Sequence, residues 1–90
     1  MKTELNQAPV ALPPRLQYQA EACAALIDAH NDAGISNRAV ANALGMHSAG
    51  LAYQLRLTDA WQDRPNHGIS RAQRDRIREV CHRLVEKATK

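Results

Sequence analysis

Ninety residues hold one domain at most, and a chain of that size buries a limited fraction of its surface, so its core is thin and multi-domain machinery is excluded. There is one Trp, two Tyr and no Phe, alanine dominates the first half, and β-branched residues never cluster; this favours helices packed through small side chains over a sheet. The net charge of +3 is unevenly spread, with three Lys/Arg against four Asp/Glu in residues 1–50 and nine against five in residues 51–90; a basic half fits a polyanion, nucleic acid first, as well as a plain solvated surface.

In chain order, residues 1–14 read as a flexible N-terminal arm, because Pro9, Pro13 and Pro14 keep them out of a helix interior. A first helix is expected over about 15–33, with Leu16, Ala20, Cys23, Ala24 and Ile27 on its apolar face and Gly34 as its stop. Ser36 can cap a second helix over about 37–44, which Gly45 ends. A third starts near His47 or Ser48 and reaches about residue 57. An irregular stretch over 58–68 holds Trp61, read as a hydrophobic plug, with Pro65 and Gly68. Ser70 caps a last helix over about 71–88, whose stripe of Ile77, Val80, Cys81, Leu84, Val85 and Ala88 recurs at helical spacing.

The segment SNRAVANALGMHSAGLAYQLR, residues 36–56, has the pattern of two short helices joined by a tight glycine turn, a helix-turn-helix. Ala41 stands where two such helices come closest, and Gly45 where the turn needs a positive φ. Val40, Leu44, Met46 and Leu51 are expected to face inward. His47, Ser48, Ala49, Ala52, Tyr53 and Arg56 are left outward on the third helix, small or hydrogen-bonding, which suits a helix lying in a major groove with Arg56 against a phosphate.

The stretch ISNRAVANALGMHSAGLAYQ resembles the helix-turn-helix of lambda-type phage repressors, through its Ala-x-x-x-Gly-Met core and its Ser-Ala-Gly-Leu start to the third helix. The resemblance covers about twenty to twenty-five residues. It implies a dimeric, sequence-specific repressor of phage, plasmid or bacterial origin. It implies that Asn37, at the start of the second helix, braces a backbone phosphate or a recognition residue, with Arg38 beside it in the DNA-binding set. Ser48 and Ala49 hold family base-contact positions with shorter side chains. One departure is Gln54, three positions after Leu51, where such motifs carry an apolar residue: either the third helix is slightly rotated, or Leu55 substitutes one position later.

The last helix admits two readings. Its stripe either closes the core over the first helix or forms the dimer interface through Ile77, Val80, Cys81, Leu84 and Val85, and dimerisation is the favoured one. Its Glu79–Arg83 and Glu86–Lys90 spacings suit ion pairs along a solvated helix, while Arg71 and Arg74 are the candidates for DNA phosphates. Cys23 and Cys81 have no metal-ligand spacing and read as small buried hydrophobes with reduced thiols. His30, His47, His67 and His82 are scattered, so no enzyme, metal, cofactor or small-molecule ligand is expected. No apolar run is long enough to span a membrane and no signal peptide is visible, which points to the bacterial cytoplasm and its nucleoid. The expected whole is an all-α compact bundle of about five helices: an arm over 1–14, a DNA-binding core over 15–68 and a C-terminal dimerisation helix over 69–90. Its expected function is repression of transcription by a homodimer on an inverted-repeat operator in double-stranded DNA. The alternative is a protein-interaction adaptor or inhibitor that uses the helix-turn-helix only as scaffold.

Overall fold

The computed structural model describes residues 13–57 and 67–90, which form four helices and no strand: α1 (Pro14–Ala33), α2 (Asn37–Ala43), α3 (Ser48–Leu55) and α4 (Arg71–Thr89). They match the four segments read as helices, and no fifth lies among the described residues. Residues 1–12 and 58–66, and with them most of the expected arm and the expected Trp61 plug, lie outside the described residues.

α1 begins one residue earlier than the proline spacing suggested. Pro14 occupies the first helical position, where its missing N–H is not needed and its fixed φ suits the helix. The Leu16 and Gln17 amides both donate to the Pro13 carbonyl, each at 3.0 Å. The helix ends on Gly34 at φ +68°, whose amide donates to His30 at 2.8 Å; the His30 side chain stands in the last turn, where positive charge is favoured.

The buried face of α1 is not the one its periodicity suggested. Gln19, Ala22, Leu26 and Ala29 are buried, while Ala20 and Ala24 are exposed and Ile27 is 59% exposed; Leu16 and Cys23 are half-buried. The physical reason is steric. Ala22 and Ala29 let α4 approach the α1 backbone closely, which sets the rotation of the helix more firmly than the larger Ile27 can.

α4 is started by a reciprocal capping box: Gln73 N–H donates to Ser70 Oγ at 3.1 Å and Ser70 N–H donates to Gln73 Oε1 at 2.8 Å. Ile77, Val80 and Cys81 are then buried in the chain's own core, with Leu84 and Val85 half-buried against it. Ile77, Val80 and Cys81 are therefore covered within the single chain, Cys81 on the side of α1 and Ile77 on the side of Leu44 and Met46, and are not free for the expected dimer interface. α1 and α4 run parallel. Arg74 meets Tyr18 and Glu21 near their N-terminal ends, and Cys81, His82 and Val85 meet Ala25, Asp28 and Asp32 further along. The start of this pair is pinned where Ile69 N–H donates to the Arg15 carbonyl at 3.1 Å and Arg15 Nε donates to the His67 carbonyl at 3.0 Å. Gly68, at φ +75°, sits between these two bonds, and a Cβ there would meet Arg15 O at 2.3 Å.

Candidate nucleic-acid interface

α2 is capped as the sequence suggests, with Ala39 N–H donating to Ser36 Oγ at 3.1 Å. Its far end closes with two backbone bonds across Gly45, which lies at φ +75°. Met46 N–H donates to Ala41 O and Gly45 N–H to Asn42 O, both at 3.0 Å. The chain then enters α3 after His47, which stands in the cap position in extended conformation without a side-chain cap bond; Ser48 is the first helical residue rather than the cap. Ala41 is fully buried and Val40 nearly so, which lets the two short helices cross without a spacer. Leu44 and Met46 are half-buried against the same core.

The uncertainty raised by Gln54 resolves in favour of Leu55. Leu51 and Leu55 are 0% and 2% exposed, one turn apart on the same face of α3. Gln54 instead turns toward α4, lining a groove with Leu44, Met46, Gln73, Arg76 and Ile77. With Leu51 and Leu55 inward, the opposite face of α3 presents Ala49 and Tyr53 to solvent, Tyr53 at 43% exposure. Ser48 and Ala52 are half-buried on one edge. Asn37 and Arg38, in the first turn of α2, and His47 are exposed. Of the eight expected contact residues, five are thus exposed beside or on α3, and Ser48, Ala52 and Arg56 are half-buried.

Arg56 departs from expectation. It does not continue α3 but ends it, in the left-handed region at φ +55°. Leu57 N–H donates to Ala52 O at 3.0 Å and Arg56 N–H to Tyr53 O at 3.4 Å, the same closure that Gly45 makes for α2. The conformation folds the guanidinium back over the Tyr53 ring, 5.1 Å from its centroid, and leaves the side chain half-buried. A cation held on an aromatic face gains about 0.5–1 kcal/mol at such a site. Tyr53 and Arg56 therefore form one unit at the end of the exposed face.

Two side chains that sequence reading did not assign to the site hold α3 from behind. Gln19 Nε2 and Cys23 Sγ, one turn apart on α1, both donate to the Leu55 carbonyl, at 3.5 and 3.6 Å. That carbonyl belongs to the last turn of α3, whose acceptors lack partners within the helix. Gln19 reads as surface in a sequence, and nothing local signals that it turns inward. Burial pushes the Cys23 and Cys81 thiols up from their ordinary pKa, so both favour the neutral form.

Arg74, one of the two candidates for phosphate contact, is spent inside the chain. Its guanidinium pairs with Glu21, bonds Asp75 at 2.7 Å, and stacks 4.9 Å from the Tyr18 centroid, leaving 12% of the side chain exposed. The Gln17 amide, at 2.9 Å, and the Arg74 guanidinium hold the Glu21 carboxyl below its usual range; Glu21 and then Asp75 raise Arg74 in return. Further along α4, Arg83 pairs with Glu79 at 3.3 Å, and Glu86 lies 3.5 Å from His82 rather than on Lys90.

Among the described residues no helix is long and apolar enough to cross a membrane, and no group of three or more His, Cys, Asp or Glu gathers as a metal site. No protein-family model, curated protein or solved structure matches this chain.

Proposed function

We propose that this chain binds double-stranded DNA through α2 and α3 as a helix-turn-helix, and represses transcription as a homodimer on an inverted-repeat operator. The observation that carries the reading is the pairing of two short helices across Gly45, with Leu51 and Leu55 inward and Ala49 and Tyr53 outward. A helix with small residues around one hydrogen-bonding aromatic can lie close against base edges. Asn37 and Arg38 flank it at the start of α2, where phosphate contacts are expected from the resemblance to lambda-type repressors. The proposed homodimer needs a surface other than the buried part of the α4 stripe. Ile27 on α1, 59% exposed, is proposed as the centre of that surface.

The test is a gel-shift titration with duplexes at several salt concentrations. Wild-type chain is expected to retard duplex DNA with an affinity that falls as salt rises. Tyr53→Ala is expected to change the ranking of sequences, by about 1–3 kcal/mol at the affected base pair. Operator binding unchanged by both Tyr53→Ala and Asn37→Ala would defeat the assignment of this face.

A second reading rests on one feature: α3, SAGLAYQL, contains no charged residue. A neutral exposed face with a tyrosine also suits a protein partner, which is the adaptor alternative. That alternative gives no retardation of any duplex at low salt.

A further inference from the structure

α4 carries two rows of cations on either side of its buried stripe, and the structure gives them different neighbours. At about 100° per residue, Arg76, Arg83 and Lys87 share one flank and Arg71 and Arg78 the other. The second flank faces α1. Arg78 and His82 line a groove there together with Asp28 and Asp32, so its charge is met by carboxylates. The first flank faces the opposite way. Arg76 lines the groove formed with Leu44 and Met46 of the α2–α3 turn and with Gln54 of α3. Between Asp32 and Asp59 the sequence contains no acidic residue, so α2, the turn and α3 bring no negative charge to that side. The outer ridge of α4 is acidic, with Asp75, Glu79 and Glu86 exposed. A polyanion is therefore repelled by the ridge and by the α1 side, and admitted along one edge.

We infer that the edge formed by Arg76, Arg83 and Lys87 of α4 is a phosphate track. It continues the α2–α3 surface and binds the sugar-phosphate backbone of the same duplex without reading its sequence. The inference rests on the DNA-binding reading above. From Arg76 to Lys87 the helix rises about 16 Å, enough to follow several phosphates of one strand. The three side chains are exposed; Arg76 and Lys87 form no ion pair among the described residues, whereas Arg83 is shared with Glu79. Arg76 and Lys87 are thus the two free ends of the track.

The experiment compares two variants of equal charge, Arg76→Gln on the track and Arg78→Gln on the opposite flank, with wild-type chain. Binding to a tightly bound labelled duplex and to a scrambled one is followed by fluorescence anisotropy across a salt series. Thermal melts confirm that both variants fold. The track variant is expected to weaken binding to both duplexes by the same factor. Its slope of log affinity against log salt should be shallower by about 0.9, the value for one lost phosphate contact. The opposite-flank variant is expected to shift that slope by less than about 0.5, well under the 0.9 of a single phosphate contact. Equal slope changes in the two variants would show a general charge effect and overturn the track. So would a track variant that matches wild type while Tyr53→Ala still alters sequence preference, an outcome that leaves the DNA reading intact. Wild-type chain that binds neither duplex at low salt overturns the DNA reading itself, and the track with it.

Discussion

Replacing Gly68 with alanine tests how the starts of α1 and α4 are held together. The added Cβ would lie 2.3 Å from the Arg15 carbonyl oxygen and 2.4 Å from its carbon, where real contacts do not fall below 3.0 Å. The backbones must separate by at least 0.7 Å, the difference between 3.0 and 2.3 Å. Neither atom is a flexible side-chain end that could swing away. Separation strains the Ile69–Arg15 and Arg15–His67 bonds, worth about 1 kcal/mol each net, and alanine at φ +75° adds about 1–2 kcal/mol. The total is about 3–4 kcal/mol, against a global stability of roughly 5–13 kcal/mol for a chain of this length. In urea unfolding followed by circular dichroism, the midpoint is expected to fall by roughly 2 M. Asparagine, which tolerates a left-handed backbone but carries the same Cβ, is expected to recover only the conformational part. A loss under about 1 kcal/mol for alanine, or near-complete recovery by asparagine, would refute the close approach.

Leu55→Ala is expected to cost about 2–5 kcal/mol in denaturant unfolding and Gln54→Ala less than about 0.5, because Leu55 fills the core position that Gln54 leaves. Arg56→Gly and Arg56→Ala lose the same contact with Tyr53, so their difference isolates the left-handed backbone; the glycine variant is expected to be more stable by about 1 kcal/mol in the same assay. The pH dependence follows from Glu21, whose carboxyl is held below its usual range in the fold. Its contribution is present above the ordinary carboxylate pKa and is lost as pH falls through the lowered folded value. Thermal melts of wild-type chain should therefore drop through that acid window, and Glu21→Gln should start lower at neutral pH and flatten the drop. Ile27→Asp is expected to convert dimer to monomer in analytical ultracentrifugation while leaving the melt near wild type, since Ile27 lies outside the core.

Legibility from sequence followed the range of the interaction. The Ser36 cap, the turn at Gly45 and the burial of Ala41 depend on residues a few positions apart, and each stands where the sequence placed it. The α4 stripe was legible as an apolar face, but a periodic pattern does not say which helix or copy covers it. In α1, alanines recur around much of the helix, so periodicity selected the side with Ile27 while close approach to α4 selected the side with Ala22 and Ala29. Within the candidate site, the exposure of Ala49 and Tyr53 was readable, but the return of Arg56 over Tyr53 depends on a single left-handed residue that composition does not signal. The inward turn of Gln19 and the capture of Arg74 by Glu21 are long-range pairings, which only the assembled bundle brings within reach.

The most direct measurement of the central claim is selection of bound duplexes from a random DNA pool by the full chain, read out by sequencing. A DNA-reading α2–α3 unit in a homodimer is expected to enrich a palindromic consensus whose half-sites lie about one helical turn apart, and Tyr53→Ala to shift the consensus at one position in each half-site. A pool that stays random after repeated rounds at low salt would contradict it.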